Sequence, residues 1–282
     1  LNLPRHTSRL AAGVGVAAMA ATALVGATAS TASAAPVSGV YQCANSAGVG
    51  LGNFTTTINA TLPATAKAGA SVPAGLLPAF TAQITSPANT ATLLTTTTSG
   101  KSSDFSVSIG STAVSAPITA TGKTVNPDNS VTFEGKGTNA AFVTPGAGTY
   151  SINMPAKFTL QGTDASGNPT VTATCQIATP PSLGSVTISK QDSTVSAKAK
   201  AAKVKVVVTN EFGKTGGEIA TGKVTVKDGK KKIGKGTLKN GKVTIKLKGN
   251  KKLSKGKHKL VISYAGDDFT SAAKAKVTVK IK

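Results

Sequence analysis

The side chains able to do chemistry are few and unevenly placed. The chain holds two cysteines, Cys43 and Cys175, two histidines, ten carboxylates and no tryptophan. Past the first 34 residues the one imidazole is His258, in phase with Leu260, Ile262 and Tyr264. That phase is the two-residue repeat of a strand, so the histidine reads as a partly buried strand residue ahead of a general base. The carboxylates of the first half, Asp104, Asp128, Glu134 and Asp164, are scattered through turn-like contexts. Glycoside hydrolysis needs two that face each other across the scissile bond. Asp267 and Asp268 are adjacent in a turn, where aspartate usually bonds its own backbone, and this reading stands ahead of calcium binding. No catalytic residue, cofactor or metal is expected on these grounds.

The two cysteines lie near the ends of the same half. In an exported chain they are expected to form a structural disulfide, with free thiols as the alternative. A metal site would need further ligands nearby, and the remaining histidine is in the other half. Closing so long a loop stabilises a fold by about 5 kcal/mol in the chain-entropy model.

Lysine is the abundant reactive type. From 185 to 282 there are 25 Lys and no Arg against six acids, a balance of +19; from 35 to 184 five Lys face four acids, a balance of +1. Arg5 and Arg9 complete the net +22. Strand periodicity puts Lys242, Lys246 and Lys248 on one side of one strand and Lys276, Lys280 and Lys282 on one side of another. Such rows suit anionic polymers or acidic surfaces, because each lysine near a negative surface contributes about 1 kcal/mol at low salt. The bland alternative is a solvated outer face. Specific nucleic-acid binding is not expected, since no aromatics are interleaved for stacking and no helix offers itself to a groove. With 4% aromatic residues a sugar-stacking platform is poorly supplied, although Tyr41, Tyr150 and Phe54 are available to one.

The elements that position these groups read as strands. Residues 1–34 carry Arg5 and Arg9, an uncharged run from 10 to 25 and an Ala32-Ser33-Ala34 pattern, so a signal peptide cleaved after Ala34, or one residue later, is expected. The chain closes in KVTVKIK with neither a hydrophobic tail nor an LPxTG-like motif, and no transmembrane anchor is expected. Removing 34 of 282 residues leaves a length that suits two domains. The paired prolines of 179–184 read as a short linker between a β-rich domain over 35–178 and a lysine-rich domain over 185–282. In the second, Val224 and Val226, then Val243, Ile245 and Leu247, then Val277, Val279 and Ile281 alternate with Lys or Thr, while Asp228-Gly229 and Asn240-Gly241 supply hairpin turns. In the first, 51–62, 103–109, 130–135, 149–153 and 170–177 alternate apolar residues with Ser or Thr. The expected class is all-β, two β-sandwich domains, the second immunoglobulin-like.

The segments ATGKVTVKDGKKKIGKGTLKNGKVTIKL and LSKGKHKLVISYAGDDFTSAAKAKVTVKI resemble the bacterial immunoglobulin-like repeat of secreted and surface proteins. Thr221, Gly222, Val224, Asp228, Gly229, Gly256, His258, Tyr264, Gly266 and Asp267 fall on that family's pattern, and Val226 stands where it usually has Phe. The resemblance implies a spacer or adhesion module with no catalytic residues. With Tyr41-Gln42-Cys43 at its start and Cys175 late, the first half resembles a domain of unknown function found in secreted actinobacterial proteins, which implies no activity. Together these readings lead to an expected secreted, cell-envelope binding or structural protein. A passive spacer that presents a ligand-binding first domain is the alternative.

Overall fold

The computed structural model describes residues 31–33, 35–212, 218–248 and 251–282. The expected leader therefore lies outside the described residues, except that Thr31–Ser33 pairs antiparallel with Thr61–Pro63. Among the described residues every regular element of any length is a strand, as the period-two patterning requires.

In the first unit eight strands close into a barrel. Around the circuit they run Ile118–Val125, Val131–Gly137, Phe80–Thr85, Gly50–Asn59, Val37–Asn45, Pro169–Gln176, Lys157–Thr163 and Ser99–Ser102, which returns to the first. Alternation fixes which face of each strand is dry but not whether the sheet's outer edges meet, so the closure is what the structure adds to the all-β reading. A second sheet follows the order Thr112–Ser115, Ser106–Ile109, Gly148–Asn153, Ser182–Ser189, Thr65–Lys67. One end of the barrel is filled by aromatics. Phe158 stands edge-on to both Tyr41 and Phe105, at 4.8 and 5.3 Å between ring centres. Phe80 lies over Gly137, where a β-carbon would come within 2.2 Å of the ring, so a larger residue there would displace it.

The tract 179–184 is not a free linker, which corrects the expectation from its prolines. It runs into the strand Ser182–Ser189, antiparallel to Gly148–Asn153 and parallel to Thr65–Lys67. The physical reason is the buried set Leu183, Val186 and Ile188, which packs into the first core. The step in charge near 185 conceals that strand, and pairing with the first unit ends at Ser189.

The second unit is a sandwich of seven strands among the described residues. Ser193–Lys200, Lys203–Asn210 and Lys242–Lys246 form one sheet; Lys231–Thr237, Lys223–Asp228, Gly256–Tyr264 and Ala273–Ile281 form the other. Val204, Val206 and Ile245 from the first meet Val224, Val226, Leu260 and Ile262 from the second in one core. The Asn240-Gly241 turn has positive φ at both residues, 49° and 69°, which is the backbone demanded by a tight hairpin with right-handed strand twist.

The units meet at Gln191, whose side chain is fully buried. Its amide nitrogen donates to the Ala68 carbonyl of the first unit at 2.6 Å, and its amide oxygen accepts from the Phe212 N–H of the second at 3.2 Å. Around it Phe269 packs against the first core, Ala147 N–H donates to Asp268 O at 2.9 Å, and Lys67 pairs with Glu211 at 3.7 Å.

Candidate polyanion-binding faces

The lysines alternate with the sandwich core and therefore point outward. On the three-stranded sheet, Lys200, Lys203 and Lys246 lie directly opposite one another across the three strands, and Lys198 lies opposite Lys205. Lys242 completes the patch, and all six are exposed. On the four-stranded sheet Lys257 faces Lys280, and Lys232 faces Lys227 in the row that continues through Val261 to Lys276. Like charges directly opposite on neighbouring strands repel and lower sheet stability. None of these lysines has an ion-pair partner within 4 Å among the described residues. The arrangement is a pair of positive faces on opposite sides of one sandwich.

This geometry separates the six lysines singled out by periodicity. Lys242 and Lys246 stand on the strand Lys242–Lys246, with Lys248 just beyond it; Lys276 and Lys280 stand on Ala273–Ile281, with Lys282 just beyond. They lie on different sheets and are not brought together. Sequence reasoning missed Lys198, Lys200, Lys203 and Lys205, although the run SAKAK and the run KVKVVV carry the same alternation.

The remaining candidate groups are engaged structurally. His258, 13% exposed, places Nδ1 2.7 Å from Asp228 Oδ2 and Nε2 2.9 Å from the Ser254 carbonyl. The Ser254 carbonyl first, then the Asp228 carboxylate, raise its pKa above the ordinary histidine value. Burial pushes the Asp267 carboxyl up, but donors outweigh it and hold the group below the usual range. Those donors are the Thr221 N–H at 2.7 Å, the Thr221 hydroxyl at 2.8 Å, the Phe269 N–H at 3.0 Å and the Thr270 N–H at 2.7 Å. Among the described residues no cluster of three or more His, Cys, Asp or Glu could hold a metal.

Cys43 and Cys175 form a disulfide between directly paired residues of Val37–Asn45 and Pro169–Gln176, 132 residues apart in sequence. The aromatics available for a sugar platform are not presented together. Tyr41 is fully buried with its hydroxyl donating to Pro155 O at 2.8 Å, Tyr150 bonds Gly146 O at 3.0 Å, and Phe54 lines the barrel interior.

Comparison with known proteins agrees with the two-unit split. The model of a bacterial Ig-like domain (group 3) matches residues 188–282, and that of a family of unknown function (DUF6801) matches residues 40–184. No curated protein matches. Among solved structures, the chain is similar to the fibronectin(III)-like modules of Clostridium thermocellum CbhA, with 13% identity over 80% of this chain and 94% of that one and a TM-score of 0.25. A beta-D-glucuronidase of Dictyoglomus thermophilum is 13% identical over 89% of this chain and 44% of that one, with a TM-score of 0.20. The chicken CNTN1 FN1-FN3 domains are 9% identical over 89% of this chain and 96% of that one, with a TM-score of 0.23. Likenesses this distant carry no functional argument. An Ig-like domain points to a surface or structural role, and the disulfide is compatible with an extracellular location. No helix among the described residues is long and apolar enough to cross a membrane. Through residues 40–184 the chain belongs to the family of unknown function DUF6801, and it continues through 188–282 as a bacterial Ig-like domain of group 3.

Proposed function

We propose that this is a secreted protein of the cell envelope, held to anionic wall polymers by the lysine faces of its Ig-like unit, and that it binds rather than catalyses. The observation that supports this reading most is the cross-strand stacking of lysines, with Lys200, Lys203 and Lys246 in one line. Solubility does not require like charges to be stacked across strands; such unrelieved rows lower stability, and the cost is offset when a polyanion supplies the countercharge. Lysine suits loose association because it is a flexible, hydrated point charge, and bidentate phosphate recognition would favour arginine. Exposed charges are screened over about 8 Å at physiological ionic strength, so the association weakens with salt.

The test is retention of the full chain on purified cell walls, with and without their anionic polymers, across a salt series. Two variants accompany it: Lys198, Lys200, Lys203, Lys205, Lys242 and Lys246 to Gln on one face, and Lys227, Lys232, Lys257, Lys276 and Lys280 to Gln on the other. Each face change should lower the salt needed for release. Retention that ignores both variants, the polymers and salt overturns the reading. The spacer reading has its own support in the Gln191 junction, which fixes the Ig-like unit against the first one. Under it, neither face variant alters retention.

A further inference from the structure

The barrel of the first unit is packed at one end and not at the other. Beyond the Tyr41, Phe105 and Phe158 cluster lies a cavity of about 220 Å³. Its wall is mostly aliphatic and aromatic, including Leu51, Phe54, Ile84, Phe133 and Leu160, with the small residues Gly100, Ala120, Gly162 and Ala173; Thr90, Thr97, Ser99, Lys101 and Gln161 also line it. The space exists because Gly100, Ala120 and Ala173 carry almost no side chain, whereas the room beside Gly162 is taken by Thr97 and Val171, at 2.7 and 2.8 Å from where a β-carbon would sit. Ala120 faces Gly100 and Gly162 faces Gly100 across adjacent strands, so small residues stand side by side on three neighbouring strands at one level.

The cavity reaches the surface under a strap, residues 86–98, between the strands Phe80–Thr85 and Ser99–Ser102. Leu94 is buried, but Leu93, which also lines the cavity, is 75% exposed. The strap is tied down from the barrel rim: Lys123 Nζ donates to Leu94 O at 2.5 Å, Asn89 N–H to Asp128 O at 3.1 Å, and Ala91 N–H to Asn129 O at 2.9 Å. Val49, just before the lining residues Gly50 and Leu51, is 60% exposed. Apolar side chains thus stand in water at the rim of an apolar interior.

We propose that this barrel binds a straight alkyl chain, with its end in the cavity and the remainder leaving past Leu93. An apolar cavity of about 150 Å³ stays dry and takes a six-carbon ring. By the same volume per carbon, this one takes about eight or nine carbons. An eight-stranded barrel is of the size that holds one small ligand when side chains do not fill it. The site is separate from the lysine faces, and a neutral probe tells the two apart.

The test titrates the full chain with straight-chain primary alcohols from butanol to dodecanol, by calorimetry and thermal shift. Affinity should rise about fourfold for each added methylene. The rise should stop at about eight or nine carbons, where the cavity is full. 1-Octanol at a hundredfold excess over its Kd should raise the melting temperature by roughly 5 °C. The matched variant is Gly100→Leu. A β-carbon there meets only the Gln161 carbonyl, at 3.5 Å, so the larger side chain enters the void without backbone conflict. It should weaken 1-octanol at least tenfold. Absence of saturable binding by the eight-carbon alcohol overturns the proposal. So does a series that climbs to dodecanol without a break, or an unchanged affinity in folded Gly100→Leu.

Discussion

Replacing Gln191 by Ala tests how the two units are joined. The side chain is fully buried and bridges the Ala68 carbonyl at 2.6 Å and the Phe212 N–H at 3.2 Å. Truncation withdraws the donor from a carbonyl on a residue that is itself fully buried, which costs about 1–3 kcal/mol. The void left by the missing side-chain atoms adds to this, so a total of about 3 kcal/mol is expected. For a chain of this size that lowers the melting temperature by about 6–12 °C. Differential scanning calorimetry reads the shift, and hydrogen exchange reads its place, with protection lost first at Ala68, Gly69 and the strand Ser182–Ser189. Asp192→Ala, at the exposed neighbouring position, is the control and should stay within about 0.5 kcal/mol. A Gln191→Ala shift no larger than the control's would refute the reasoning, because the junction would then be open to water.

Replacing Cys43 and Cys175 together by Ala should lower stability by up to about 5 kcal/mol. The unfolding transition of the barrel unit should move and that of the Ig-like unit should not; a common shift contradicts this. Asp267→Ala removes the acceptor of four hydrogen bonds that tie the Thr221 and Thr270 turns, and should cost about 2 kcal/mol or more by chemical denaturation. Because its folded pKa is depressed, this contribution is present above the unfolded value near 3.8 and is lost as pH falls through the folded pKa. The Asp267→Ala variant should therefore lose less stability than the parent on acidification. His258 has the opposite sign: its raised pKa stabilises below about 6.5 and the gain disappears as pH rises through the folded value. An NMR titration should place its midpoint above 6.5, and Asp228→Asn should bring it down; a midpoint at or below 6.5 removes the Asp228 contact from the account.

The strands of the Ig-like unit were legible because each obeys a local rule. Val224 and Val226, Ile245, and Leu260 with Ile262 sit in the core on alternate positions, between turns whose Gly and Asn residues take positive φ. The disulfide was equally plain from two cysteines near the ends of one unit in a chain expected to be exported. The barrel was harder to read. Strands such as Ile118–Val125 and Lys157–Thr163 bury Ala and Gly where a pattern search looks for Val or Ile, so the positions that hollow the barrel are those that weaken its signal. Ser182–Ser189 was hidden by a coincidence of prolines and charge. The lysine rows were visible strand by strand, but which rows share a face depends on strand order, a long-range property that no local pattern encodes.

The central claim, that opposed lysine faces hold the chain to polyanions, is tested most directly by the salt dependence of binding. The full chain is titrated onto poly(glycerol phosphate) at salt concentrations from 50 to 300 mM, and the logarithm of the association constant is plotted against that of the salt. By analogy with single-stranded polyanions, six lysine contacts give a slope of about −4. Changing Lys198, Lys200, Lys203, Lys205, Lys242 and Lys246 to Gln should flatten that slope while the melting temperature holds or rises, since the cross-strand repulsion is gone. A slope near zero in the parent chain, or one unmoved by the six substitutions and by the matching change of the other face, would contradict the account.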